Sequence, residues 1–260
     1  MDGLSNVLEN RTNNGLKKSI RLIDSLRKSF KSLKWYEWVM ATIMIIIAGW
    51  TMVSSFMNPG KAALPPWLTV INFISAICGV ICIFFCAKAS ISNYAFGIVN
   101  TIVYVVYLAY RGTYGTLALE IFVYLPVNIA GWVLWVKHRD RVYTEKTKAR
   151  RASKKQNIIS CVGVLAISMG CYFLLNKFDG TTAILDAFTV GLGIVATVLQ
   201  FLRFREQYVW WLVQDVIAVA MYIVDFDPVY LTKKSIYLIM AVIGLYNWIK
   251  LQKERNLENE

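Results

Sequence analysis

The sequence is poor in the residues on which most enzymes and soluble domains depend. Of its 260 residues only 17% are charged, and one is a histidine. It contains no GxxxxGK[ST] phosphate loop, no HExxH motif and no Ser/His/Asp arrangement, which argues against ATP hydrolysis, zinc-dependent proteolysis and nucleophilic catalysis. His138 lies in the basic stretch KHRDR, where we expect it to be exposed rather than to act as a ligand. We therefore predict a protein that is not an enzyme and has no cofactor.

The cysteines do not indicate a disulfide framework or a metal site. Cys78, Cys82, Cys86, Cys161 and Cys171 all fall within long apolar runs, so disulfide pairing is not expected. The first three share one helical face, but no histidine or fourth ligand joins them. We interpret them as small, polarizable packing residues.

Long apolar runs make up most of the chain. Hydrophobic residues account for 57% of it and the mean hydropathy is +0.49. Because a hydrocarbon core is crossed by roughly 20 apolar residues, the sequence predicts an all-α integral membrane protein with eight transmembrane helices. These span residues 36–57, 67–87, 93–110, 116–136, 157–176, 181–202, 207–226 and 229–249.

The formal net charge of +12 indicates membrane orientation rather than binding to nucleic acid. Most lysines and arginines lie in the two terminal segments and in alternate connections, above all in the basic loop 137–156, which has no apolar face to bury. By the positive-inside rule, both termini and this loop are predicted to be cytoplasmic. The predicted outer segments keep only Lys61, Arg111, Lys177, Lys233 and Lys234.

The N-terminal segment, residues 1–35, precedes the first apolar run. Within it, residues 16–34 place apolar side chains on one stripe and basic ones on the other, a pattern typical of a helix on the membrane surface. The first apolar run, 36–57, has full spanning length and no small-residue cleavage site, so we expect an extra transmembrane helix rather than a secretory signal.

The run QYVWWLVQDVIAVAMYIVDF, residues 207–226, carries polar residues on an apolar helix. Tyr208, Trp211, Asp215 and Tyr222 fall on one face at helical spacing. An acid inside an apolar span is costly, so its first interpretation is a substrate or ion pathway. Pairing with a Tyr or Asn of another helix is the alternative.

An internal repeat with an offset near 115 places a second set of residues opposite this face. In the helices predicted third and seventh, Asn93, Phe96, Asn100 and Tyr107 fall opposite Tyr208, Trp211, Asp215 and Tyr222. The sequence therefore predicts two parallel three-helix repeats, 67–136 and 181–250, joined by a linker helix at 157–176 and followed by a cytoplasmic tail at 251–260. Transporters built from such repeats bind substrate at the seam near the midplane.

At that seam Asn100 and Asp215 are predicted to face each other. An acid opposite an amide leaves one negative charge, which suits a cation or a hydroxyl-rich ligand. The aromatic candidates offer faces to a flat ring, although helix packing is the alternative for each of them. The helix predicted fourth adds Glu120, close to its outer end, and Tyr124 and Asn128 further along. For Glu120 the alternative is an interfacial carboxylate that reaches water.

Residues 65–250 resemble the PnuC family of vitamin transporters, whose fold is related to the SWEET sugar transporters. In that family Asn-x-x-Trp and Trp-x-x-Trp signatures lie at the binding site, and they map here onto Asn93 with Phe96 and Tyr208 with Trp211. The resemblance rests on Asn93-Tyr94-Ala95-Phe96-Gly97, on Tyr114-Gly115 with Leu119, Tyr124, Pro126, Gly131, Trp132 and Trp135, and on residues 206–215 with Trp211.

The resemblance implies facilitated uptake of nicotinamide riboside across a bacterial inner membrane, driven by phosphorylation of the vitamin inside the cell. It also implies a homotrimer with one pathway in each subunit. The same fold could carry thiamine, riboflavin or a nucleoside. A further alternative is a proton-coupled symporter in which Asp215 and Glu120 relay protons.

Overall fold

The computed structural model describes residues 23–57, 65–111, 114–140, 145–175, 183–224, 226 and 228–258, and these are almost entirely helical. Beyond helices, the described residues form only isolated β-bridges. The predicted all-helical membrane class is confirmed. In chain order the helices are α1 (residues 23–31), α2 (Trp35–Met57), α3 (Pro66–Ala87), α4 (Asn93–Arg111), α5 (Tyr114–Leu119), α6 (Leu125–Lys137), α7 (Lys154–Leu175), α8 (Ala183–Phe201), α9 (Gln207–Val224) and α10 (Pro228–Glu258).

Seven stretches of the described chain are helical, long and apolar enough to cross a membrane. They correspond to seven of the eight predicted spans. The remaining predicted span, 181–202, corresponds to α8, whose apolar part Ala187–Phe201 is shorter than the other seven. Many large apolar side chains on these helices are exposed, Trp50 and Val133 among them, as expected for surfaces that contact lipid.

A π-helical turn, Glu120–Tyr124, joins α5 to α6. Pro126 follows it in the first turn of α6, and proline has no backbone N–H to give to the preceding turn. The freed carbonyl accounts for the widened turn, and π-turns of this kind are common at functional sites. Glu120 and Tyr124 therefore occupy a local distortion within a membrane-spanning helix.

Six helices pack into a closed ring. Each helix in the order α3, α4, α6, α8, α9 and α10 packs against the next, and α10 packs against α3. We call α3, α4 and α6 the first set, and α8, α9 and α10 the second set. Outside the ring, α2 packs against α3 and α10, and α7 packs against α8.

Two tight turns of the same kind lie at one end of the ring, which we call the turn end. Ala89 between α3 and α4 has φ 55°, and Arg203 between α8 and α9 has φ 67°, a left-handed conformation that is costly for residues other than glycine. The segment 145–152 connects both turns, because Thr147 N–H donates to the Ala89 carbonyl and Arg150 exchanges backbone hydrogen bonds with Arg203 and Arg205.

This connection changes the interpretation of the basic loop 137–156, which was expected to have nothing to bury. Thr147 and Ala149 are fully buried. Both are short side chains, so they fit between the two turns while the basic residues around them remain at the surface. His138, expected to be exposed, is only half-buried, and its Nδ1 lies 2.9 Å from the Leu134 carbonyl.

The described part of the N-terminal segment packs against the protein at the turn end. Phe30 makes edge-to-face contacts with Phe85 and Phe96, so this part of the apolar stripe meets α3 and α4 rather than lipid. Beside it, buried Glu37 accepts a 2.6 Å hydrogen bond from Lys88. Burial lowers the pKa of Lys88, and the contact with Glu37 opposes that shift.

Candidate functional site

The third helix of each set carries a glycine that receives a tyrosine ring. A methyl group on Gly131 would lie 2.6 Å from the Tyr94 ring, and one on Gly244 would lie 2.5 Å from the Tyr208 ring. Both distances are far below van der Waals contact. Only glycine permits these approaches, so the two sets use the same packing device.

The tryptophans one turn further along link neighbouring helices that belong to different sets. Trp135 of the first set donates its indole N–H to the Gln200 carbonyl of the second set at 3.1 Å. Trp248 of the second set donates to the Cys86 carbonyl of the first set at 3.0 Å. Both indoles are fully buried, so the turn end of the bundle is held by reciprocal contacts between the sets.

These contacts correct the alignment of α4 with α9. Tyr94 matches Tyr208, and Ala89 matches Arg203, so equivalent residues are 114 positions apart rather than 115. Asn93 is then equivalent to Gln207. A shift of one residue rotates a helix by roughly 100°, so every pairing of an α4 residue with an α9 residue changes. Asn100 is therefore equivalent to Gln214, and Asp215 to Thr101.

A polar notch lies where α10 packs against the first set. A methyl group on Gly79 would lie 2.6 Å from the Tyr237 hydroxyl and 3.4 Å from the Asn100 side-chain oxygen. That oxygen accepts a 2.9 Å hydrogen bond from Ser75. Because residue 79 is a glycine, the Tyr237 hydroxyl of the second set can approach the Asn100 amide of the first set.

The same notch recurs where α6 packs against the second set. A methyl group on Gly193 would lie 3.2 Å from the Tyr124 hydroxyl and 3.2 Å from the Gln214 side-chain oxygen. Gly193 is 114 positions after Gly79, so glycine, amide and tyrosine recur together. Of these six residues, Gln214, Tyr237 and the two glycines were absent from the predicted site.

Asp215 is buried and forms an ion pair. Its carboxylate lies 3.0 Å from the Lys234 ammonium, and its exposed fraction is 2%. The expected single negative charge facing Asn100 is therefore wrong. Lys233 and Lys234 were assigned to an outer segment, but both lie inside α10. The Lys234 side chain is long enough to reach Asp215 on α9.

Glu120 and Asn128 meet at Thr101. The Thr101 hydroxyl hydrogen-bonds the Glu120 carboxyl group, and the Asn128 side-chain nitrogen lies 3.5 Å from the same hydroxyl. Thr101 is 2% exposed. Lys233 lies within electrostatic range of Glu120. The predicted residues Asn100, Glu120, Tyr124, Asn128 and Asp215 therefore contribute to the polar contacts between helices in the middle of the bundle.

Tyr107 and Tyr222 lie towards the end opposite the turns. Tyr107 stacks on Tyr104, and Tyr222 stacks on Tyr230, with ring centroids 5.7 and 5.4 Å apart. Tyr230 hydrogen-bonds Tyr104 and Tyr107, so both predicted residues belong to one aromatic cluster. A cavity of about 170 Å³ between α2, α3, α4 and α10 borders this cluster at Tyr107 and Tyr230.

Three predicted residues have packing contacts at the turn end. Asn93 is fully buried, and its side-chain nitrogen donates to the Ser90 carbonyl. Phe96 packs on Phe85 at 5.5 Å. Tyr208 donates its hydroxyl to the Cys86 carbonyl at 2.9 Å. These contacts favour the packing alternative for the two aromatic residues, Phe96 and Tyr208.

Trp211 differs from its equivalent in the first set. The corrected alignment pairs it with Gly97, whose missing side chain leaves room beside Asn128 and Cys82. Trp211 is half-buried and packs against a buried cluster that includes Trp248. One set thus has an indole where the other has no side chain, and a methyl group on Gly97 would lie only 3.4 Å from the Cys82 sulfur.

Comparison with known proteins places this bundle among vitamin transporters. Residues 69–250 match the family described as "Nicotinamide mononucleotide transporter". The nicotinamide riboside transporter PnuC of Neisseria mucosa is 31% identical over 194 residues, covering 70% of this chain and 73% of the relative. PnuC of Haemophilus influenzae is 27% identical over 234 residues, covering 89% and 97%.

A solved structure has the same fold. The crystal structure of the vitamin B3 transporter PnuC superposes with a TM-score of 0.67 at 28% sequence identity, covering 86% of this chain and 94% of that one. The two proteins therefore share one overall fold.

Proposed function

The chain belongs to the PnuC family, described as nicotinamide mononucleotide transporters, and we propose that it carries nicotinamide riboside across the membrane by facilitated diffusion. The protein is a multi-pass membrane transporter and not an enzyme. The observation that supports the substrate assignment is the pair of glycine, amide and tyrosine notches, one from each set, inside a ring of apolar helices.

Each part of the riboside has a complementary group in this arrangement. The half-buried indole of Trp211 suits the planar pyridine ring, because aromatic faces stack on flat rings. Asn100 and Gln214 carry amides that can both donate to and accept from ribose hydroxyls. Phosphorylation of the riboside inside the cell would keep its internal concentration low and so make net transport inward.

We propose that the ring consists of two parallel three-helix repeats. The first and second sets are the repeats, α7 is the linker helix, α2 is an N-terminal addition and α8 is the eighth transmembrane helix, as in a SWEET-like fold. The recurrence of contacts at spacings of 114 and 113 residues supports this assignment. Parallel repeats require the linker to cross the membrane, which the length and hydropathy of α7 allow.

The turn end is proposed to face the cytoplasm of a bacterial inner membrane, with both termini on that side. The basic segment around 145–155 lies there, in agreement with the positive-inside rule. Single cysteines in a cysteine-free background test this orientation. A cysteine at Ser153 should resist an impermeant maleimide in intact cells and react in inverted vesicles, and the reverse pattern would overturn the orientation.

A homotrimer is proposed from the family resemblance. Native mass spectrometry of the detergent-solubilised protein should give three copies of the 29.7 kDa chain. A monomer that retains riboside binding would contradict the trimer without affecting the transport proposal.

Uptake by proteoliposomes tests the function directly. Labelled nicotinamide riboside should enter saturably and stop at equal internal and external concentrations, with or without an imposed pH gradient. Accumulation driven only by the pH gradient would instead identify a proton symporter. Competition by thiamine, riboflavin and uridine at the same concentrations measures substrate choice, and saturable uptake of one of these without uptake of the riboside would overturn the proposal.

A further inference from the structure

Glu120 and Lys233 occupy equivalent positions in the two sets. They are 113 residues apart, like Tyr124 and Tyr237 on the same pair of helices. Equivalent positions in parallel repeats lie at the same depth in the membrane. One set therefore presents an acid and the other a base at one level, close enough for an electrostatic interaction.

Lys233 differs from its neighbour Lys234 in its contacts. Lys234 is neutralised by Asp215. The Lys233 ammonium lies 5.7 Å from the centre of the Tyr104 ring and 5.8 Å from that of Tyr237, and no hydrogen bond or ion pair joins it to any other described residue. The rings stabilise its positive charge but leave its three N–H donors available.

The Glu120 carboxylate likewise has an unused hydrogen-bond acceptor. One oxygen can take the hydrogen bond from Thr101, while Oε2 is buried and has no partner among the described residues. Charged groups are costly inside a membrane unless they are paired or serve a ligand. Two complementary groups with unused hydrogen-bonding capacity, held at one depth by different sets, are placed to bind a molecule between them.

We propose that Glu120 and Lys233 orient the substrate by its dipole. Glu120 faces the cationic ring nitrogen, and Lys233 donates to an oxygen substituent on the same ring. The inference deepens the proposed function and rests on it. The preferred class is a pyridinium riboside with a ring oxygen acceptor, and a ring carboxylate binds better than a carboxamide because hydrogen bonds between two charged groups are stronger.

Titration calorimetry on the full purified chain tests this preference with three probes. These are nicotinamide riboside, its carboxylate analogue nicotinic acid riboside, and the dihydro form of nicotinamide riboside, whose ring is uncharged. The wild type should bind the carboxylate analogue about tenfold more tightly than the carboxamide. Lys233→Met should abolish that preference, and Lys233→Arg should retain it.

Glu120→Gln tests the proposed contact between Glu120 and the cationic ring nitrogen. It should weaken both pyridinium ligands about tenfold and leave the affinity for the uncharged dihydro form unchanged. The control is Lys250→Met, on the same helix but exposed at the turn end, which should change none of the three affinities. Each preference is a ratio measured on one preparation, so incomplete folding of a variant does not alter it.

The outcomes distinguish this inference from the function on which it rests. If the wild type binds neither pyridinium riboside, the proposed function fails. If it binds nicotinamide riboside but Lys233→Met retains the wild-type preference, or Glu120→Gln weakens the dihydro form as much as the cationic forms, the dipole proposal alone is overturned.

Discussion

The two sets are alike at the turn end and different in the middle of the bundle. At the turn end both have a left-handed turn residue, a tyrosine on a glycine and a tryptophan that donates to the other set. In the middle, Thr101 and Gly97 of the first set are replaced by Asp215 and Trp211 of the second. Close packing leaves few alternatives at the turn end, since each glycine and ring must fit its counterpart. The polar middle is less constrained sterically, so the two sets can divide binding roles there.

The ion pair between Asp215 and Lys234 is the largest expected difference between the sets, because the first set has Thr101 and Ile121 at the equivalent positions. Asp215→Asn leaves the partly buried Lys234 ammonium without its partner. Removing one member of a fully buried pair costs roughly 3 to 5 kcal/mol, and partial exposure of Lys234 reduces that cost. We expect a marked fall in melting temperature. The double variant Asp215→Asn/Lys234→Gln should recover most of it.

Measuring the dissociation constant on the same preparations separates stability from binding. A paired, structural Asp215 predicts that the folded fraction of Asp215→Asn keeps its affinity for nicotinamide riboside. A tenfold loss of affinity at unchanged melting temperature would show that Asp215 contacts the ligand instead.

The glycines beneath the tyrosines test the similarity of the sets. Gly131→Ala and Gly244→Ala place a methyl group about 2.6 Å from a ring, and overpacking of this kind costs about 1 to 3 kcal/mol. Both variants should lose stability by similar amounts in thermal unfolding. Gly170→Ala is the control, since nothing lies within 4 Å of its added methyl group, and it should not destabilise the protein.

Trp211 and Trp210 test the corrected alignment. If Trp211 stacks on the substrate ring, Trp211→Ala should weaken binding roughly tenfold, since stacking contributes about 1 to 3 kcal/mol. Trp210 packs against the buried cluster between α7 and α8, so Trp210→Ala should lower the melting temperature and leave the affinity unchanged. Loss of affinity in the Trp210 variant alone would assign stacking to the other indole.

The smallest expected effect concerns the left-handed turns. Ala89→Gly removes the cost of a positive φ, roughly 1 kcal/mol, and should raise the melting temperature slightly. Ala220→Gly within α9 is its control, because glycine in a helix interior costs about 1 kcal/mol. A decrease in stability for Ala89→Gly would mean that its buried methyl group contributes more than the strain costs.

The predicted site stays a prediction, and the structure changes its register. Asn100, Glu120, Tyr124, Asn128 and Asp215 do lie in the middle of the bundle, because polar residues in apolar helices avoid lipid. The repeat was detectable from its tyrosines, glycines and tryptophans. Its offset was wrong by one residue between α4 and α9, since aromatic residues occur at both Trp210 and Trp211 and the sequence alone does not distinguish them.

The sequence by itself determined the class of protein, because apolar length and the distribution of basic residues depend only on composition along the chain. It also predicted a repeat, which the recurrence of contacts at a spacing of 114 residues supports. Only the tertiary structure decided that Asp215 pairs with Lys234, that Lys233 lies between two tyrosine rings and that tyrosines of each set reach the other. These are contacts between helices, and they depend on the rotation of each helix about its axis. A sequence pattern determines that rotation only to within one residue in either direction.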